Sequence, residues 1–109
     1  MQYAKWMSLP VDFFSRPKIS RLLAMRKGAD YVWLWLEVVA RACQVNRQGS
    51  LSDEEGSPMT VKELSLILQE PIGLMDKALK QFEKLDMLMQ TETGEFVVTN
   101  WELYNANKK

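Results

Sequence analysis

The chain has 109 residues, zero formal net charge, 47% apolar and 26% charged residues, the make-up of one globular domain large enough to bury its own core. One cysteine, Cys43, and no histidine exclude an internal disulfide framework and the usual zinc sites, and fit a reducing cytoplasm. The N-terminus reads as lacking a secretory signal, and the longest apolar run, Tyr31 to Cys43, holds Glu37 and Arg41 and is too short for a bilayer.

The charge is uneven along the chain. Residues 1–50 hold eight Lys/Arg and three acids, whereas residues 51–109 hold six Lys and eleven acids. Attraction to a polyanion must therefore come from local basic surfaces, not from an overall field.

Tyr3 to Leu9 alternates like a strand and ends at Pro10, as an edge or terminal strand would. Phe13 and Phe14 are expected in the core. Pro17 opens a helix with Ile19, Leu22, Leu23 and Met25 as its apolar positions, and Gly28 is its expected stop. Arg16, Lys18, Arg21, Arg26 and Lys27 cluster here; a solvated helix face with a favourable C-terminus is preferred over a phosphate contact.

Asp30 is placed to cap the next helix, in which Tyr31, Val32, Trp35, Leu36, Val38, Val39, Ala42 and Cys43 cover most of the circumference. Such a helix belongs at the centre of the domain. Its polar stripe is Glu37, Arg41 and Gln44, with Glu37 and Arg41 at ion-pair spacing. Trp33 borders that stripe and is expected in the core, with a second subunit as its alternative neighbour. Cys43 reads as a small buried hydrophobe. The connection from Asn46 to Met59 is long enough to predict a short strand around Ser50–Ser52, and Asp53-Glu54-Glu55 reads as a solvated loop tip, not a cation site.

Thr60, with Glu63 three residues on, is a capping-box start for a helix bearing Val61, Leu64, Ile67 and Leu68 on one face. Pro71 stops it and suits the first turn of a following helix, whose inner side is Met75, Ala78, Leu79, Phe82 and Leu85. Two strand-like runs follow, Met87 to Glu92 and Phe96 to Trp101, joined through Thr93-Gly94-Glu95, with Leu88, Phe96 and Val98 facing inward. Helix, turn, helix and hairpin outline a winged helix-turn-helix with an extra N-terminal strand and helix, an α+β fold that is mainly α. It forms a single domain over residues 1–109, with 105–109 as the start of a linker in a longer protein.

In such a motif the second helix enters the major groove. Lys77, Lys80 and Lys84 project away from Phe82, with Gln81 beside them, so the lysines suit phosphates and Gln81 suits a base edge. Lys62, near the start of the preceding helix, adds a backbone contact. The hairpin tip offers Glu92 and Glu95, which repel phosphate.

Several pieces resemble the N-terminal domain of phage replisome organisers, relatives of DnaD-type primosome proteins. They are Trp6-Met-Ser-Leu9 followed by Asp12-Phe13-Phe14, the Ile19 to Leu23 helix, and Asp30-Tyr31-Val32 opening the long apolar helix. Ala78-Leu-Lys-x-Phe82 then leads to Leu85 and Leu88, and Asn100-Trp101-Glu102 closes the set. The order and spacing run from about residue 3 to 104. Asp86 stands where the family often has glycine. The resemblance implies a winged helix in a protein that starts DNA replication in a bacterial host cytoplasm, binds double-stranded origin repeats, forms a homo-oligomer, and meets a helicase or its loader through regions outside this chain.

Two rivals remain. One is an oligomerisation module without direct DNA contact, motivated by zero net charge, the acidic wing, and Trp33 and Leu66 lying off the main apolar stripes. The other is a transcriptional regulator of the same fold. No cofactor, metal or membrane partner is implied. Without histidine, a glycine-rich phosphate loop or a metal constellation, the chain does not read as an enzyme.

Overall fold

The computed structural model describes residues 6–53 and 55–105. Four helices, α1 (Pro17–Leu23), α2 (Gly28–Val45), α3 (Val61–Leu68) and α4 (Ile72–Lys84), precede an antiparallel hairpin of β1 (Leu88–Gln90) and β2 (Phe96–Val98). Two 3-10 turns, Phe13–Ser15 and Trp101–Leu103, flank them. This is the expected mainly α member of the α+β class. None of the described helices is long and apolar enough to cross a membrane.

α2 is the central element because its apolar residues run nearly all round it. Leu34, Val38, Val39, Ala42 and Val45 are fully buried, and α1, α4, β2 and the second 3-10 turn all pack on this helix. Trp35 ties it to the rest. Its ring meets Phe82 edge-on at 5.0 Å, and its indole N–H donates to the Tyr104 hydroxyl at 3.2 Å. Aromatic edge contacts of this kind add about 0.5–1.5 kcal/mol beyond the area they bury.

The α1–α2 junction differs from expectation. α1 ends at Leu23, and Gly28 opens α2 instead of closing α1. A Cβ at Gly28 would lie 2.3 Å from the Leu22 carbonyl oxygen, so the glycine permits the close crossing of two helices. Asp30 consequently sits inside the first turn of α2, and Lys27 occupies the capping position. Phe13 is buried, but Phe14 is 60% exposed, its ring perpendicular to that of Phe13 at 5.0 Å. Consecutive residues of a tight turn point apart, so only one of the two rings can enter.

α3 begins as expected. The Glu63 N–H donates to the Thr60 hydroxyl and the Thr60 N–H to the Glu63 carboxylate, at 3.1 and 2.9 Å. It ends by a different device. Gln69 adopts φ 57°, and its own N–H and that of Glu70 turn back to the carbonyls of Leu66 and Ser65, a Schellman closure. Pro71 is the N-cap of α4, not the residue that stops α3. α4 closes in the same way: Asp86 has φ 58°, and Met87 N–H reaches Phe82 O at 2.9 Å. A left-handed residue is required there, a conformation that glycine adopts without a Cβ penalty.

The hairpin pairs Leu88 with Val98, Met89 with Val97 and Gln90 with Phe96, so the strands are shorter than the sequence suggests. Leu88, Phe96 and Val98 are buried as expected. The segment before α3 adds a third edge. Ser50 bridges Val97, Leu51 N–H donates to Phe96 O and Val98 N–H to Gly49 O, both at 2.8 Å. The short strand expected at Ser50–Ser52 is thus a bridge beside β2. Asp53 closes the neighbouring loop by accepting the N–H groups of Glu55 and Ser57.

Of the strand expected over Tyr3–Leu9, residues 3–5 lie outside the described residues, and the remainder forms one bridge, Met7 to Asn105. Asn105 is itself buried, so the packed chain includes the residue at which a linker was expected to start. Residues 106–109 lie outside the described residues.

Candidate nucleic-acid interface

α4 earns its place through its inner side. Met75, Ala78, Leu79 and Phe82 are at most 2% exposed, and this spacing orients the opposite side of the helix toward solvent. Lys77, Lys80 and Lys84 are all exposed there, whereas Gln81 is half-buried. At about 100° per residue, Lys77 and Lys84 lie within roughly 20° of one another, Gln81 on one flank and Lys80 on the other. One element thus brings four of the five predicted residues onto a connected surface. Lys62 is exposed on α3, at its second position, and belongs to a different helix.

The three lysines are not equivalent. The Lys80 ammonium pairs with the Asp76 carboxylate one turn earlier at 3.0 Å. Lys77 and Lys84 make no ion pair among the described residues. Asp76 and Glu83 occupy the flank beyond Lys80, so α4 presents a lysine stripe edged by acids. An exposed pair at helical spacing is worth only about 0.3–0.5 kcal/mol, weak enough for a phosphate to displace Asp76.

The hairpin tip is less repulsive than the sequence implies. Thr91 and Gly94 close its turn, and Gly94 has φ 89°. Glu95 folds back: its carboxylate accepts the Ser50 hydroxyl at 2.7 Å. Of the two tip glutamates, Glu92 alone is exposed.

A feature that sequence reasoning passed over lies where α1 meets the end of α4. Lys18, Arg21 and Lys84 line one cleft of about 280 Å³ together with Pro17, Leu85 and Asp86. The Lys18 ammonium donates to the Asp86 carbonyl oxygen at 3.2 Å. The basic run at 16–27 is visible in the sequence, but nothing local brings it to residue 84.

The titratable groups with displaced pKa values lie elsewhere. Glu37 on α2 is pushed up to about 7, chiefly by burial, and further by a hydrogen bond to Glu70 and repulsion from its charge. The expected Glu37–Arg41 ion pair is not formed: Glu37 turns to Glu70, and Glu37 Oε1 and Arg41 Nε stay buried without partners. Burial pushes the Cys43 thiol up, in keeping with a packed hydrophobe whose sulfur faces the Tyr104 carbonyl. Burial also raises Tyr104, opposed by its hydrogen bond from Trp35. Trp33 is 61% exposed, a correction to the core position expected for it: Leu34 and Trp35 take the inward positions, and a third consecutive helical residue must face outward.

The family model described as N-terminal phage replisome organiser matches residues 6–109. No curated protein and no solved structure matches the chain.

Proposed function

The chain belongs to the N-terminal phage replisome organiser family and so has a replication-related role, and from that premise we propose that it is a DNA-binding, self-associating domain of a phage replication initiation protein that recognises origin repeats. One observation carries the DNA reading: α4 buries one side completely and keeps Lys77, Lys80 and Lys84 in solvent on the other. The order of two short helices and a hairpin, with a third edge beside it, supports a winged helix using α4 as its groove-entering helix. Lys77 and Lys84, free of carboxylates, contribute most. Lys80 joins after releasing Asp76, Gln81 reaches a base edge, and Lys62 holds a flanking phosphate. Contact with a helicase or its loader falls to regions outside this chain.

The test is the salt dependence of binding to double-stranded DNA from the origin region. Each neutralised phosphate contributes about 0.9 to the slope of log affinity against log salt. The Lys77→Ala/Lys84→Ala variant should flatten that slope by roughly 1.8. An unchanged slope removes α4 from the interface.

A second reading, an oligomerisation module, is favoured by Trp33, Leu66 and Ile67, exposed by 61, 68 and 47%. Large apolar side chains left in solvent are common at subunit contacts. Sedimentation distinguishes the two: a stable oligomer without DNA affinity at low salt supports this second reading alone.

A further inference from the structure

We propose that the cleft between α1 and the end of α4 is a second phosphate site, in which Lys18, Arg21 and Lys84 together clamp one backbone phosphate of double-stranded DNA. This rests on the reading of α4 above and extends the contact surface to a helix outside the helix-turn-helix unit.

Three cations converge on one cleft, from two elements far apart in sequence. Asp86 brings the one carboxylate among the residues lining it, so the local charge is about plus two. Arg16, the other cation at this end of α1, is already taken by Asp12 at 3.1 Å, whereas Lys18, Arg21 and Lys84 make no ion pair among the described residues. Unpaired like charges around a small cleft repel one another, and a phosphate is the ligand that turns this repulsion into attraction.

The positions are also partly fixed. Lys18 is tethered by the Asp86 carbonyl, which also accepts the Thr99 hydroxyl at 2.8 Å and is held in place by the left-handed closure of α4. The Lys18 side chain has therefore given up part of its rotamer freedom before any ligand arrives. Arg21 lies three residues on, over the same cleft, and its planar fork matches two phosphate oxygens at once. Lys84 belongs both to this cleft and to the outer face of α4 beside Lys77. The two sites consequently form one band, and a duplex backbone leaving α4 runs onto α1.

The experiment compares DNA binding across a sodium chloride series for the wild-type chain, Lys18→Ala/Arg21→Ala, Arg21→Gln alone and Lys77→Ala. All three residues of α1 and α4 that are changed are exposed, and thermal unfolding followed by circular dichroism checks that each variant folds. Arg21→Gln leaves the Lys18 tether in place should the double variant lose stability. The double variant is expected to lose one phosphate, flattening the slope by about 0.9, and Lys77→Ala another. A double variant with the wild-type slope, while Lys77→Ala loses its share, overturns the cleft and spares α4. Loss of slope in the double variant with none in Lys77→Ala overturns the α4 reading and keeps the cleft. Absence of DNA binding by the wild-type chain at low salt overturns both. Inorganic phosphate titrated against the chain, read by amide shifts, identifies the source of the anion. Saturable binding at Lys18 and Arg21, with a wild-type DNA slope in the double variant, would assign the cleft to free phosphate and overturn the backbone contact.

Discussion

Replacing Glu37 by glutamine should make the protein more stable at neutral pH and remove part of its pH dependence. Glu37 holds its proton to about pH 7, against 4.5 for an ordinary glutamate. Burial comes first among the causes, then the hydrogen bond to Glu70 and repulsion from its charge. The sign follows from proton counting. Between the two values the native state keeps a proton that the unfolded chain has released, so stability falls as pH rises through this window and levels off above about 7. Taken in full, the shift corresponds to roughly 3.4 kcal/mol at 1.36 kcal/mol per unit. Glu37 lies in a groove open to solvent beside Ala40, Gln44 and Ile67, and screening there reduces the effect to about 1–2 kcal/mol. Glutamine keeps a donor toward Glu70 and cannot ionise. Urea unfolding at intervals from about pH 5 to pH 8 should therefore give a wild-type curve that falls relative to Glu37→Gln, by that amount in total. Curves that stay parallel across the range would show that no proton is held between α2 and the α3–α4 joint.

Three further outcomes test the packing. Tyr104→Phe removes the acceptor of the buried Trp35 N–H and should cost about 1–3 kcal/mol; an unchanged urea midpoint would mean that another acceptor takes over. Gly28→Ala drives a methyl group into the Leu22 carbonyl and should cost about 1–3 kcal/mol as the two helices separate, whereas stabilisation, the usual effect of alanine in a helix, would refute the close crossing. Asp86→Gly should be neutral or gain up to about 1 kcal/mol, because glycine adopts φ 58° without a Cβ penalty, while Asp86→Val should lose stability. The reverse order in thermal melts would contradict the left-handed closure of α4.

The local rules read from the sequence held wherever a few neighbouring residues contain all the physics. Thr60 and Glu63 bond each other three residues apart, so the start of α3 was legible. The all-round apolar pattern of α2 required a central helix, since no other position buries so many faces. The face of α4 that carries Lys77 and Lys84 followed from helical periodicity, and the inward strand residues Leu88, Phe96 and Val98 from strand alternation.

Tertiary structure decided what depends on partners distant in sequence. Gly28 looks the same whether it ends one helix or lets another pass, and only the approach of Leu22 distinguishes the two. Glu37 had a favourable partner at Arg41 by spacing, but packing brought Glu70 to it. Glu95 appeared to arm the hairpin tip with negative charge until Ser50, across the sheet, drew it back. Lys18 and Arg21 read as a solvated face because the chain alone does not say that Lys84 lies beside them. The Thr60–Glu63 cap and the apolar stripes are set by bonds and periodicities spanning one or two turns, which the sequence determines by itself. The state of a charge is set by whichever groups the fold brings near, and that information exists only once the chain has folded.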